Sequence, residues 1–149
     1  MSLQHAAQDT PIWVSAVALV NERGEVLVQQ RPPSGAYAGL WEFPGGKLEG
    51  GETCEAAAIR ELHEELGIAI DAKHLLPVAF ATNAHDREPG DRPLAILLFA
   101  CAQWEGEAVA HAASALAWVG PGDLVSWAMP PLDYPLAKAL ARLLQEGST

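Results

Sequence analysis

Between Gly45 and Ile68 the sequence GGKLEGGETCEAAAIRELHEELGI joins a glycine-rich loop to a run crowded with carboxylates, and any fold must accommodate both. Thr53 stands where an N-cap belongs, Glu55 falls in the positive first turn, and Gly67 supplies the stop, so the pattern predicts a helix over 53–66. With successive residues about 100° apart, Ile59, Leu62 and Leu66 share one arc of that helix while Glu61, Glu64 and Glu65 share another. The first arc packs. The second must face something else.

Carboxylates at i, i+3 and i+4 repel one another, which destabilises the helix and raises their pKa values. Three glutamates alone read as a solvated face, the ordinary meaning of such runs. A hard divalent cation is the functional alternative, because Mg²⁺ favours oxygen ligands and commonly joins protein carboxylates to substrate phosphates. The backbone carbonyl of Gly45 or Gly46 could add a ligand, since a residue without Cβ lets the main chain approach closely. The charge balance agrees. Nine basic against nineteen acidic residues give a formal charge of −10, which excludes duplex nucleic acid as a partner held by counterion release. The same charge would repel a polyphosphate unless cations stood between.

The chain of 149 residues, half of them hydrophobic, suits one domain with a real core, expected over 11–149 after a flexible segment at 1–10. Ile12 to Val20 reads as a buried strand, and Glu25 to Arg31 as its hairpin partner across the turn residues Asn21 to Gly24. Leu40 to Phe43 reads as a short strand, ended by Pro44, Gly45 and Gly46, after which a structured loop is expected. Ile68 to Thr82, Leu94 to Trp104 and Ala115 to Val119 read as further strands, with a loop from Asn83 to Pro93. Pro121 to Trp127 suggests a helical turn and Pro135 to Gln145 a closing amphipathic helix. This order predicts a mixed α/β sandwich. Cys54 and Cys101 are too few for a disulfide framework and lack zinc-site spacing. No signal-like start or apolar run of about 18 residues is present, so the expected setting is cytoplasmic, without membrane attachment.

Gly46, Glu52, Arg60, Glu61, Leu62, Glu64, Glu65, Gly67 and Ile68 together resemble the Nudix box at every defined position. WEFPGGK at 41–47, QRP at 30–32, WEGE at 104–107 and PPLDYP at 130–135 extend the resemblance to the MutT-type branch. It implies an α/β/α sandwich with a mixed central sheet. It also implies hydrolysis of a nucleoside triphosphate to monophosphate and pyrophosphate with Mg²⁺ or Mn²⁺. By position, Glu61, Glu64 and Glu65 become metal ligands, and Glu61 or Glu64 orients or deprotonates the attacking water. Arg60 and Glu52 brace the loop against the helix, and Arg31 contacts phosphate. One departure stands out: the loop glutamate of MutT-type relatives, six residues before Trp118, is Ala112 here. Glu105, Glu107 and His111 lie near it, yet each reads as an ordinary exposed loop residue.

The resemblance places Asp133 of PPLDYP at the base edge. An ionised Asp only accepts hydrogen bonds, which suits guanine, 8-oxoguanine or the 4-amino group of cytosine, and adenine's amino group less completely. Phe43, or a neighbour such as Trp127, could stack on the base, although either would equally serve as core. The expected substrate is 8-oxo-dGTP, with CTP, dCTP or 5-methyl-dCTP as the alternative and a silent nucleotide-binding module as the reading from another class. A monomer or homodimer is expected.

Overall fold

The computed structural model describes residues 10–85 and 87–146, so the expected N-terminal segment lies outside the described residues except for Thr10. Its strands are β1 (Ile12–Leu19), β2 (Val26–Gln30), β3 (Trp41–Glu42), β4 (Gly45–Lys47), β5 (Leu76–Thr82), β6 (Leu94–Cys101) and β7 (Ala115–Val119). The helices are α1 (Cys54–Leu66) and α2 (Asp133–Glu146), with short 3-10 turns at Ala72–His74 and Pro121–Ser126. A mixed four-stranded sheet runs β4-β1-β6-β5, and an antiparallel sheet runs β3-β2-β7.

Successive strand residues point to opposite faces, so one strand can feed two cores. In β1, Ala16 and Ala18 pack with Leu136, Ala137 and Leu140 of α2. Val17 and Leu19 of the same strand pack with Ala58, Leu62 and Leu66 of α1. β2 repeats the division, with Val26 and Val28 in the first cluster and Leu27 in the second. The sheets therefore lie between the helices, the layered mixed α/β arrangement expected. Among the described residues no helix is long and apolar enough to cross a membrane.

Five local expectations are corrected. β1 and β2 are not a ladder-forming hairpin: β1 is flanked by β4 and β6, β2 by β3 and β7, and only a bridge between Val20 and Val26 joins the two near the turn. Asn21 and Gly24 do reverse the chain, but turn chemistry reports a reversal and not which edge the next strand takes. Gly45 to Lys47, expected as loop, is a strand paired antiparallel with Val14 to Ala16. A Cβ at Gly45 would run into the Ser15 carbonyl and Ala16 Cα, so this approach requires glycine. The long strand expected over 68–82 is broken, because Asp71 accepts from the Lys73 N–H and starts the turn at Ala72–His74. β6 stops at Cys101 and not at Trp104, while α2 starts two residues before Pro135, at Asp133.

Candidate active site

The helix α1 is built as its sequence implies. Thr53 Oγ1 accepts from the Ala56 N–H at 3.0 Å, and Gly67 closes the C-terminus at φ 72°, donating its N–H to the His63 carbonyl. With Ala57, Ala58, Leu62 and Leu66 buried, the glutamates fall on the other side. They do not behave alike.

Glu65 turns inward. Its Oε2 accepts from the Gly45 N–H at 2.9 Å and its Oε1 from Gln29 Nε2 at 3.5 Å. Burial, then the neighbouring charges of Glu61 and Glu42, outweigh those donors and push its pKa up to about 8. Glu61 and Glu64 are instead held by Arg60, whose Nη1 donates to them at 2.8 and 3.4 Å. Arg60 also grips Glu52 with two hydrogen bonds, at 2.8 and 2.9 Å, and donates to the Lys47 carbonyl at 3.0 Å. One guanidinium thus ties the loop, β4 and α1 together, the bracing expected of the Arg60 and Glu52 pair. The hydrogen bonds from Arg60 and from the Glu49 N–H hold Glu52 down to about 2. Gly46 belongs to the same arrangement, because a Cβ there would meet the Glu61 carboxylate. Among the described residues no three His, Cys, Asp or Glu side chains converge on one point that could hold a metal ion. Arg60 is shared between Glu61 and Glu64 while Glu65 faces β4.

Arg31 reaches the same region from β2's end. It donates to both oxygens of Glu42, at 2.7 and 3.0 Å, and to the Ala36 carbonyl at 2.8 Å. Arg31, Gln29, Gln30, Glu42, Glu65, Ala112 and Ala113 line a cavity of about 190 Å³. The position of the missing loop glutamate therefore borders the same cavity as Glu65. A smaller cavity, about 60 Å³, lies between the sheet and α2 and is lined by Val14, Glu42, Phe43, Gly45, Ile96 and Asp133 among others.

Asp133 is buried at the start of α2, with Oδ2 accepting from the Phe43 N–H at 3.2 Å. Burial first, and the Glu42 charge after it, push its pKa up to about 7, so the carboxyl is a donor as well as an acceptor near neutrality. The premise that it only accepts is thereby altered. The Phe43 ring is buried in the α2-side core, so what Phe43 presents is its backbone N–H and one cavity wall. Trp127 packs edge-on against Trp41, with ring centroids 4.9 Å apart.

Sequence reasoning missed Glu42 and Gln29. Both were visible as polar residues in apolar strands, and the register pairs them directly across β2 and β3. Glu42 lies between Trp41 and Phe43, which pack into the core, so the pleat sends the carboxylate to the opposite face. Burial raises its pKa although Arg31 opposes the effect.

Comparison with known proteins agrees with this architecture. The NUDIX domain profile matches residues 10–143. The chain is 35% identical over 131 residues to the CTP pyrophosphohydrolase of Escherichia coli K12, covering 87% of this chain and 93% of that protein. It is 33% identical over 130 residues to the 8-oxo-dGTP diphosphatase of the same organism, covering 86% and 95%. The solution structure of the E. coli ORF135 protein superposes with a TM-score of 0.78 at 33% identity, covering 92% and 93%. With the box residues braced by Arg60 and the match spanning nearly the whole chain, the protein belongs to the Nudix family, as a MutT-type hydrolase of phosphoanhydride bonds.

Proposed function

We propose that the chain cleaves a nucleoside triphosphate to the monophosphate and pyrophosphate, with 8-oxo-dGTP as the leading substrate. The observation that carries this reading is Glu42: it lines both the cavity bounded by Arg31 and Glu65 and the cavity bounded by Asp133. A charged end and a buried, hydrogen-bonding end thus meet at one residue, as a nucleotide with its phosphates requires. Arg31 binds phosphate from the first cavity, and Asp133, beside the Phe43 backbone, meets a base edge at the second.

The α1 glutamates supply the oxygen donors a hard divalent cation takes, and gathering them on one ion requires Glu61 and Glu64 to leave Arg60 and Glu65 to leave the Gly45 N–H. Glu61, Glu64 and Glu65, with the Gly45 carbonyl, would hold Mg²⁺ or Mn²⁺. The ion would neutralise charge at the reacting phosphate oxygens. Glu61 or Glu64 orients or deprotonates the attacking water, while Arg60 fixes where both point. Ala112 brings no carboxylate to this cavity, so the helix set carries the chemistry.

The 35% identity with a CTP pyrophosphohydrolase supports the second reading, a cytosine nucleotide. Initial rates on 8-oxo-dGTP, dGTP, CTP, dCTP and 5-methyl-dCTP, with Mg²⁺ or with EDTA, decide between them. Metal-dependent release of pyrophosphate, fastest from 8-oxo-dGTP, is expected. A decisive preference for a cytosine nucleotide replaces the leading substrate, and no turnover of any triphosphate would leave a nucleotide-binding module.

A further inference from the structure

The last turn of any α-helix leaves its final carbonyls without intrahelical donors. In α1 these belong to His63, Glu64, Glu65 and Leu66. The Gly67 N–H takes the first. The other three are met from the loop before β7: Val109 N–H donates to the Leu66 carbonyl and His111 N–H to the Glu65 carbonyl, each at 3.0 Å. His111 Nδ1 lies 3.0 Å from the Glu64 carbonyl, and because a carbonyl only accepts, that nitrogen carries the proton. The His111 ring lies over Gly67, where a Cβ would be 3.0 Å from Cε1 and 3.2 Å from Nε2. Immediately after His111 come Ala112 and Ala113, which line the same cavity as Glu65.

We infer that His111 is a positioning residue for the hydrolytic site: its imidazole N–H holds the turn carrying Glu64 and Glu65 in register with the Ala112–Ala113 wall. The inference rests on the hydrolase reading above. Two of the three loop bonds come from the backbone, so a side-chain substitution removes one tie and leaves the loop attached. The lost tie is the one at Glu64, directly on the carboxylate turn. A small displacement of groups that must meet reacting atoms costs far more in rate than in stability.

The test compares His111→Ala, His111→Asn and His111→Gln in the full chain, using the fastest triphosphate of the panel with saturating Mg²⁺ and monitoring thermal unfolding. An Asn amide replaces the Nδ1 donor at similar reach, while Gln sets it one methylene further out. Expected is a folded H111A with kcat lowered about 10- to 100-fold and KM changed less than about threefold. H111N should recover most of the rate. A folded H111A with wild-type kcat, a loss confined to KM, or H111N no better than H111A overturns the inference. If H111A does not fold, H111N against H111Q decides: kcat higher for Asn supports it, and equal kcat overturns it. A Glu65→Gln control separates the two levels. Turnover in that variant removes the site itself, whereas its inactivity beside a normal H111A removes only the role of His111.

Discussion

Asp133→Asn isolates the cost of a buried charge. The carboxyl rises from an ordinary value of 3.8 to about 7 on folding, mainly because burial disfavours its ionised form. Between those values the folded chain holds a proton that the unfolded chain has released, so this group's contribution to stability falls as pH rises from about 4 to 7 and is flat beyond. At about 1.4 kcal/mol per pH unit, ionised Asp133 costs roughly 4 kcal/mol at pH 8 relative to a neutral group of the same shape. An Asn carbonyl can still accept from the Phe43 N–H. Asp133→Asn should therefore be more stable than the parent at pH 8, by up to about 4 kcal/mol, with the gap closing towards pH 4. Other carboxylates titrate in both proteins and largely cancel in the difference. Urea unfolding in EDTA at pH 4.5, 6, 7 and 8.5 measures it. A variant less stable at pH 8, or a gap independent of pH, would refute the argument that burial dominates at this site. In the same variant, discrimination among bases should fall further than metal affinity, which the substrate panel reads directly.

Glu64→Gln and Glu65→Gln should each lower kcat by about 10³-fold while the fold persists, because each removes a carboxylate that would hold the cation at the reacting region and leaves the packed arc untouched. Near-normal turnover in both contradicts the site. The adjacent glycines should separate cleanly. Gly46→Ala meets the Glu61 carboxylate first, which can swing aside, so a folded protein with activity down about 10²-fold is expected. Gly45→Ala meets the β1 backbone, so lost stability in thermal unfolding is expected first, and the reverse order would contradict the β1–β4 packing.

Much of the site could be read from local spacing. The helix ends at Thr53 and Gly67, the division of α1 into packed and acidic arcs, and the partnership of Glu52 with Arg60 all depend on residues within a few turns of one another. What resisted were meetings between distant segments. Glu42 and Gln29 face Glu65 only because β2 and β3 pair, and Asp133 reaches Phe43 across ninety residues of chain. The failed β1–β2 hairpin has the same origin, since apolar strands of similar character compete for edges that only the assembled sheets assign.

By itself, the sequence determined which groups are available: the carboxylates of one helix, the arginine that braces them, and glycines where the backbone must come close. Helical periodicity and turn chemistry are short-range, so residue order is enough to set them. Tertiary structure alone decided which of those charges are buried, and so which are costly. Glu65 is raised to about 8 and Asp133 to about 7, because desolvation depends on what packs above a side chain and not on what precedes it in the chain.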